Sequence, residues 1–392
     1  MAPLFPALFL GGPPHSGKST LLYRLSHALR ERGVEHYALR ASPDGEGDWS
    51  QETAPDQVRV LRMRAKTDWT PQFAERMSRD IDRRHLPLLV DVGGKVSPET
   101  ERIAAVCTHG ILLSNNTAAF SEWTALLMQQ GRMVIAEIVS QLDGPQVVTQ
   151  TTPILRGTLS GLQVGQSSDG VCFDALLTLV QRYMSYPPDT LYQTHRNAVD
   201  VDLVLHLERP IYPLTARPEH GPAYRWYPTD LRPLLTSLPA NEPLALYGRA
   251  PLWVYAALAA FTEPVPWVFQ AHTGWVVPPR LLPTTTPDPQ RLRWDTVASH
   301  GDVFQISLSL PGGYLDYDDA QEVPVPLAPA GYGILLDGKL PTWLYAALAR
   351  TYRTGAWLAV LQPQLGYVVV WSQHPHVQVG DVRPAPPAEP PE

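Results

Sequence analysis

The sequence predicts an α/β domain followed by two copies of a smaller α+β unit, and three observations support this fold class. Strand and helix patterns alternate from about residue 4 to residue 185, which is typical of a mostly parallel sheet with helices on both faces. A complete phosphate-loop motif lies at the first junction between strand and helix. The phrase GRAPLWVYAALA, residues 248–259, recurs as GKLPTWLYAALA, residues 338–349.

Length and composition limit the functional classes. The 392 residues, 44% of them apolar and 11 of them Trp, are enough for two or three domains with their own cores. The net charge of −7 does not favour a surface that binds duplex DNA. We expect no membrane segment, since no apolar run approaches about 18 residues. Cys107 and Cys172 have neither a metal-ligand spacing nor a disulfide pattern, so we expect a cytoplasmic protein.

The first strand, within LFPALFL, leads into GPPHSGKST, which fits G-x-x-x-x-G-K-[ST] and opens a helical segment. Backbone N–H groups of such a loop surround phosphates, and the helix N-terminus adds its positive end. Lys18 would reach the β- and γ-phosphates, and the hydroxyl of Ser19 would bind Mg²⁺. The alternative is a chance glycine turn. The residues predicted to hold ATP are Gly12, His15, Ser16, Gly17, Lys18, Ser19 and Thr20.

A second element of this site follows the buried strand LLVDV. Asp91 ends that strand, and we predict that it holds the magnesium ion or its water, with Gly93 and Gly94 after it. The alternative is that Asp91 only caps the next turn. Three acidic residues follow the second strand and could supply a base or a metal contact at the same sheet edge, or form a solvated loop. They are Asp44, Glu46 and Asp48.

The second half of the sequence is a tandem repeat with boundaries near 198–282 and 299–383, after an α/β domain of residues 1–190 and before a disordered tail of 384–392. In each copy a strand ends in Gly, then a basic residue, then Pro two positions later, and then a helix begins. Arg249 and Lys339 therefore lie where free N–H groups and a cation can receive a phosphate, or they point into water. Each helix begins with an aromatic pair, of which one member could stack on a base. The pairs are Trp253 with Tyr255 and Trp343 with Tyr345.

These residues resemble the Csx-three family of type III CRISPR systems. The resemblance covers about 85 residues of the second repeat and is weaker in the first. It depends on G-[RK]-x-P-x-W-L-x-x-x-L-A, on A-V-x-x-P-x-L-G-x-V-V-V-x-S and on a V-G-D ending. The matching residues are Gly338, Lys339, Pro341, Trp343, Leu344, Leu348, Ala349, Ala359, Val360, Pro363, Leu365, Gly366, Val368, Val369, Val370, Ser372, Val379, Gly380 and Asp381.

The resemblance implies ferredoxin-like repeats that bind a cyclic oligoadenylate, cyclic tetra-adenylate in particular, and cleave it as a ring nuclease with metal assistance, for which Mn²⁺ is a candidate. It also implies self-association, the ligand lying between dimers, and some family members carry a fused P-loop domain. The binding candidates are Arg249, Lys339, Gln362, Gln364 and His272, and the catalytic candidates are Arg353, His374 and Asp91.

The sequence departs from the family at the turn that usually reads D-P-R-L-G. Here the turn is QPQLG, residues 362–366, and QAHTG, residues 270–274, in the first repeat. Neutral amides cannot take a proton or bind a metal as an anion, but they can still hydrogen-bond an adenine edge or a ribose hydroxyl. We therefore carry three hypotheses: a ring nuclease coupled to an ATP-binding domain, an inactive sensor or sponge for the messenger, and a P-loop nucleotide or small-molecule kinase with a structural repeat domain.

Overall fold

The computed structural model describes residues 5–41, 71–163, 169–187, 189–209, 225–271, 273–311 and 315–384. The chain forms two compact units: Met1–His195 with Ala271–Gly274, and Arg196–Gln270 with Trp275–Glu392. Asp44, Glu46, Asp48 and His272 lie outside the described residues, as does nearly all of the predicted tail. Among the described helices, none is long and apolar enough to span a bilayer.

The first unit is a seven-stranded sheet with the order β2-β3-β1-β4-β5-β7-β6, parallel except for the last strand, β6. Its strands are β1 Ala7–Gly11, β2 Tyr37–Ala41, β3 Leu88–Val92, β4 His109–Ser114, β5 Met133–Gln141, β6 Val147–Gln150 and β7 Leu155–Ser160. Its helices are α1 Lys18–Glu31, α2 Pro71–Asp82, α3 Pro98–Val106, α4 Ala119–Gln129, α5 Val171–Met184 and α6 Thr190–Arg196.

Helices cover both faces of this sheet because the strands are apolar on both sides. On one face, Leu8 and Leu10 of β1 share a core with residues of α1 and α5. On the other face, the ring of Phe9 lies 6.1 Å from that of Trp123 in α4. The predicted α/β architecture with a mostly parallel sheet is therefore confirmed for the first unit.

The second unit contains two larger sheets, with the orders β11-β10-β9-β8 and β13-β14-β16-β17-β18-β19, and a pair of short strands, β12 and β15. Its strands are β8 Leu203–His206, β9 Leu244–Tyr247, β10 Trp267–Gln270, β11 Gly274–Val276, β12 Leu282–Thr284, β13 Arg293–His300, β14 Val303–Ser309, β15 Pro324–Pro326, β16 Gly333–Gly338, β17 Trp357–Gln362, β18 Gly366–Ser372 and β19 Val382–Arg383. Its helices are α7 Leu231–Ser237, α8 Leu252–Phe261 and α9 Thr342–Tyr352.

The predicted ferredoxin-like topology is not confirmed. Three neighbouring strands are parallel in each of these sheets, β8-β9-β10 in one and β14-β16-β17 in the other. Helices α8 and α9 connect strands that are direct neighbours, whereas a ferredoxin-like sheet is mainly antiparallel and places a strand between such partners. The second sheet also begins at Arg293, before the predicted repeat boundary at 299.

Helices α8 and α9 form the centre of the second unit. Residues 253–260 of α8 and 343–349 of α9 are all buried, and a helix that is apolar all round belongs inside a core. The helices pack against each other, and α8, from the first repeat, also packs on β17 and β18 of the second. The two repeats therefore share one core.

The C-terminal end of α8 is capped by arginines from α9. Arg350 donates to the carbonyls of Ala259 and Thr262 at 3.0 and 2.8 Å and pairs with Glu263 at 2.9 Å. Arg353 pairs with Glu263 at 2.6 Å. Burial alone would raise the pKa of Glu263, but hydrogen bonds from Arg353 and Arg350 outweigh it, and the pKa is lowered. Cations at a helix C-terminus also complement the helix dipole.

We expect Arg350→Ala to lower the free energy of unfolding of the second unit by about 2 kcal/mol, because two carbonyls lose a charged donor. Arg353→Ala should cost less than about 1 kcal/mol, since its ion pair with Glu263 is partly exposed. Chemical denaturation followed by Trp fluorescence measures both. Equal losses for the two variants would contradict the assignment of Arg350 as the main cap.

Candidate functional site

The phosphate loop lies between β1 and α1 at the carboxyl end of the parallel sheet. Within it, Lys18 Nζ donates to the carbonyls of Gly12 and Pro13 at 2.7 and 2.8 Å. The remaining predicted ATP ligands occupy the loop or the first turn of α1: Gly12, His15, Ser16, Gly17, Ser19 and Thr20. The first N–H groups of α1 have no partner within the helix, so this turn can receive an anion.

Ser19 and Asp91 meet beside this loop. Strand β3 is the direct neighbour of β1, which brings Asp91 to the start of α1. The hydroxyl of Ser19 donates to Asp91 Oδ2 at 2.8 Å, and Asp91 is 4% exposed. A hydroxyl and a carboxylate are oxygen ligands of the kind that Mg²⁺ prefers, directly or through water. The two residues therefore fit a magnesium ion that would also be held by nucleotide phosphates.

Neighbouring segments support the loop, and Gly94 makes the closest approach. A Cβ at Gly94 would lie 2.6 Å from the backbone nitrogen of Pro14, so only glycine allows this contact. On the other side, Arg24 of α1 donates to the carbonyls of Gly161 and Gln163 at 2.8 Å each, which fixes the segment after β7. The sequence shows Gly94 and Arg24 but not which segments of the chain these residues contact.

Arg40 on β2 was missed by the sequence analysis. It lies opposite Asp91 in the parallel register of β2 and β3, and directly opposed residues of parallel strands point to the same face. Its Nε and Nη2 atoms are buried and make no hydrogen bond to a described residue. The only sequence signal is an arginine near the end of a strand. The position adds a positive charge beside the predicted metal ligand.

In the second unit, the duplicated phrase builds the same strand–turn–helix corner twice. Tyr255 donates its hydroxyl hydrogen to the carbonyl of Gly248, and Tyr345 donates to that of Gly338 at 2.7 Å. Burial raises the pKa of both phenols, and the charges of Glu208 and Asp337 respectively raise them further, so both hydroxyls stay protonated and donate. The repeated tyrosine therefore ties each helix to the strand before it.

The aromatic pairs of this phrase are not stacking surfaces. All four rings are at most 3% exposed: Trp253, Tyr255, Trp343 and Tyr345. The expectation that one member of each pair could stack on a base is therefore wrong. A base cannot reach a ring that the surrounding helix and sheet residues already cover.

The two basic residues of the turns differ in their surroundings. Arg249 forms an ion pair with Glu208 at 2.7 Å, so its charge is already matched by a carboxylate. Lys339 is exposed at the end of β16, beside the first turn of α9. Both basic residues stay candidates for phosphate binding.

The other predicted residues of the second unit occupy separate places. The side chains of Gln362 and Gln364 hydrogen-bond each other at the turn between β17 and β18. Arg353 lies at the end of α9 and pairs with Glu263, whereas His374 follows β18 and accepts a hydrogen bond from the N–H of His376 at 3.2 Å. Among the described residues, no group of three or more His, Cys, Asp or Glu side chains could hold a metal ion. The catalytic assignments of Arg353 and His374 stay predictions.

The first unit is an α/β domain with a phosphate-loop motif at the first strand–helix corner of a mostly parallel sheet. Residues 309–384 match the family described as CRISPR-associated protein (Cas_csx3). This stretch of the second unit is therefore similar to a CRISPR-associated family, as the resemblance predicted. It makes up well under half of the chain.

Two solved structures share limited similarity with the chain. The structure of chloroplast FtsY from Physcomitrella patens is 16% identical, with 45% of this chain and 65% of that chain covered and a TM-score of 0.27. The crystal structure of APE1195 is 17% identical, with 34% and 62% covered and a TM-score of 0.17. The chain spans less than two thirds of either protein. TM-scores this low do not indicate a shared fold over the whole chain.

Proposed function

We propose that this chain is a CRISPR-associated protein with two ligands. The first unit binds and hydrolyses ATP with Mg²⁺. The second unit binds a cyclic oligoadenylate, for which cyclic tetra-adenylate is the expected ring, and cleaves it. The match at residues 309–384 supports the second part. We also propose that the chain self-associates around the ligand.

The observation that carries nucleotide binding is the contact between Ser19 and Asp91 beside Lys18. Lys18 would hold phosphate oxygens, and the Ser19 hydroxyl with the Asp91 carboxylate would hold the metal or its water. When bound, Mg²⁺ neutralises charge on the β- and γ-phosphates. The N–H groups at the start of α1 would orient the same phosphates.

Cyclic oligoadenylate would bind at the carboxyl edge of β14, β16 and β17, where Lys339 and the Gln362–Gln364 turn lie. Lys339 would meet a phosphate, and the amides would hydrogen-bond a base edge or a ribose hydroxyl. Capture without cleavage is a second candidate function, favoured by the neutral amides of this turn.

The direct experiment incubates the full-length protein with labelled cyclic tetra-adenylate, with and without ATP and with Mg²⁺ or Mn²⁺, and separates bound ligand and products. Linear product supports the ring-nuclease function, and intact bound ligand supports capture alone. The absence of both retained label and linear product would overturn the proposal for the second unit and leave that for the first untouched.

The metal assignment makes a separate prediction. We expect Ser19→Ala and Asp91→Asn to raise the Mg²⁺ concentration needed for half-maximal ATP hydrolysis by about 10-fold or more, because each removes an oxygen that holds the ion or its shell. A Mg²⁺ titration of the hydrolysis rate measures this. Ser26→Ala is the matched control, since Ser26 lies on the same helix but contacts His36 at 2.8 Å. A normal Mg²⁺ requirement in both variants would refute the assignment.

A further inference from the structure

A small polar cluster interrupts the apolar face of the six-stranded sheet that lies opposite α9. The hydroxyl of Tyr367 donates to Asp337 Oδ2 at 2.7 Å. Gln305 Nε2 lies 3.3 Å from the same carboxylate oxygen and 3.3 Å from the Tyr367 hydroxyl. The same face carries a small apolar core that includes Leu335 and Val369. Asp337 is half-buried, and Tyr367 is 2% exposed.

The cluster lies at the edge of the sheet where the ligand is proposed to bind. Asp337 comes directly before Gly338 and Lys339, at the carboxyl end of β16. Tyr367 follows Gly366, so it lies at the end of the QPQLG turn. The hydrogen bond from Tyr367 to Asp337 therefore joins the turn that lacks a carboxylate to a carboxylate on the neighbouring part of the same sheet.

The first repeat provides an internal comparison. Tyr247 occupies the position of Asp337, ninety residues earlier, and Trp275 occupies that of Tyr367. There the rings of Tyr247 and Phe269 are 4.8 Å apart, and those of Phe269 and Trp275 are 5.2 Å apart. The equivalent surface of the first repeat is thus aromatic, and Asp337 and Tyr367 belong to the second repeat alone.

Two hydrogen bonds hold the Asp337 carboxylate in one orientation. Both Tyr367 and Gln305 reach Oδ2, which leaves Oδ1 as the oxygen for a ligand hydroxyl. Burial, and then the charge of Asp337, raise the pKa of Tyr367, so the phenol remains a donor at neutral pH. A general base must lie within hydrogen-bond reach of the proton that it takes, and a carboxylate held in one orientation at the proposed ligand edge meets this requirement.

We propose that Asp337 is the proton acceptor for ring cleavage, and that Tyr367 and Gln305 are positioning residues. This inference rests on the proposed function of the second unit. Asp337 Oδ1 takes the proton of a ribose 2′-hydroxyl while the 2′-oxygen forms a bond to the adjacent phosphorus. The bond from phosphorus to the 5′-oxygen breaks, and water protonates that oxygen. The product is a linear oligoadenylate with a 2′,3′-cyclic phosphate and a 5′-hydroxyl.

The test compares Asp337→Asn with the wild-type full-length protein under single-turnover conditions with labelled cyclic tetra-adenylate. The asparagine keeps an acceptor for Tyr367 but cannot take a proton. We expect the cleavage rate to fall about 100-fold or more, and the Kd measured by filter binding to change less than about 3-fold. Asp295→Asn is the matched control: its carboxylate accepts from Ser309 at 2.9 Å in the same sheet, and its cleavage rate should stay at wild type.

Tyr367→Phe tests the positioning role by comparing the cleavage rate with ring binding. Loss of the phenol donor leaves the Asp337 carboxylate without its 2.7 Å partner, so the single-turnover rate should fall about 10-fold while the Kd changes less than about 3-fold. A variant that only loosened the structure would weaken ring binding and lower the midpoint of urea denaturation as well as the rate. This second variant also keeps the proposal testable if Asp337→Asn fails to fold.

The outcomes separate this inference from the proposed function. Wild-type cleavage by Asp337→Asn, or a product ending in a 5′-phosphate, would overturn the role of Asp337 while ring cleavage stands. A wild-type protein that binds the ring and leaves it intact would overturn both the role and cleavage, but not binding. A wild-type protein that does not bind the ring would remove the proposed function of the second unit itself.

Discussion

Replacing Lys18 by methionine should lower the rate of ATP hydrolysis at least about 100-fold and weaken ATP binding. The ammonium group lies within the loop, donating to two of its own carbonyls, where it can turn to a phosphate. Loss of a single prearranged donor typically costs a factor of about 100 to 1,000 in rate. Methionine keeps the length and apolar body of the side chain, which is 8% exposed, so the fold should persist.

Lys95→Met is the matched control, because Lys95 follows Gly94 beside the loop but is exposed. Steady-state hydrolysis and binding of a labelled ATP analogue measure both variants. Wild-type hydrolysis by Lys18→Met would show that the loop is not the nucleotide site. Binding of cyclic tetra-adenylate should persist in Lys18→Met. This result would distinguish a protein with two separate ligand sites from a kinase whose repeats are only structural.

The second large effect concerns Gly338, at the end of β16. Gly338 has φ +139°, and a Cβ there would lie 2.1 Å from the carbonyl oxygen of Leu308. Backbone atoms of the neighbouring strand cannot move away without breaking the pairing of β14 with β16. We therefore expect Gly338→Ala to lower the free energy of unfolding by about 3 kcal/mol or more, since strain and a clash combine.

Gly331→Ala separates these two causes. Gly331 also has a positive φ, +79°, but a Cβ there would have no atom within 4 Å among the described residues. Gly331→Ala should therefore lower the free energy of unfolding by only about 1 kcal/mol, because the left-handed conformation is its only penalty. Urea denaturation of both variants provides the comparison. Equal losses would mean that the contact with Leu308 does not decide the need for glycine.

Local sequence patterns predicted the first unit well. The alternation of apolar strands and amphipathic helices indicated a parallel sheet, and GPPHSGKST indicated the phosphate loop at its first corner. Both signals are local, because the period of the apolar residues and the turn glycines are set by neighbours along the chain. Arg40 and Gly94 depend on which strands and loops become neighbours, so their positions were not predictable.

The repeat was also predictable because its signal is local, but the order of its strands was not predictable. A twelve-residue phrase that occurs twice indicates two copies of the same strand–turn–helix corner. The hydrogen bonds of Tyr255 and Tyr345 to the glycine carbonyls show why the spacing between tyrosine and glycine recurs. Ferredoxin-like order was expected from resemblance and is not what the strands form. The order of strands in a sheet depends on non-local pairing, which twelve local residues do not encode.

Sequence alone thus determined the strand–loop–helix corner with Lys18 and the existence of two corners with Gly248 and Gly338. The tertiary structure decided which side chains these corners contact. Asp91 accepts a hydrogen bond from Ser19, and Glu208 forms an ion pair with Arg249. Tyr367 and Gln305 hydrogen-bond Asp337. In each case the partner lies at least 30 positions away along the chain, and the pairing of strands within a sheet brings it within hydrogen-bond distance. The backbone conformation of a turn depends on its own residues, whereas the polar and charged side chains that contact the turn depend on which strands pair in the sheet.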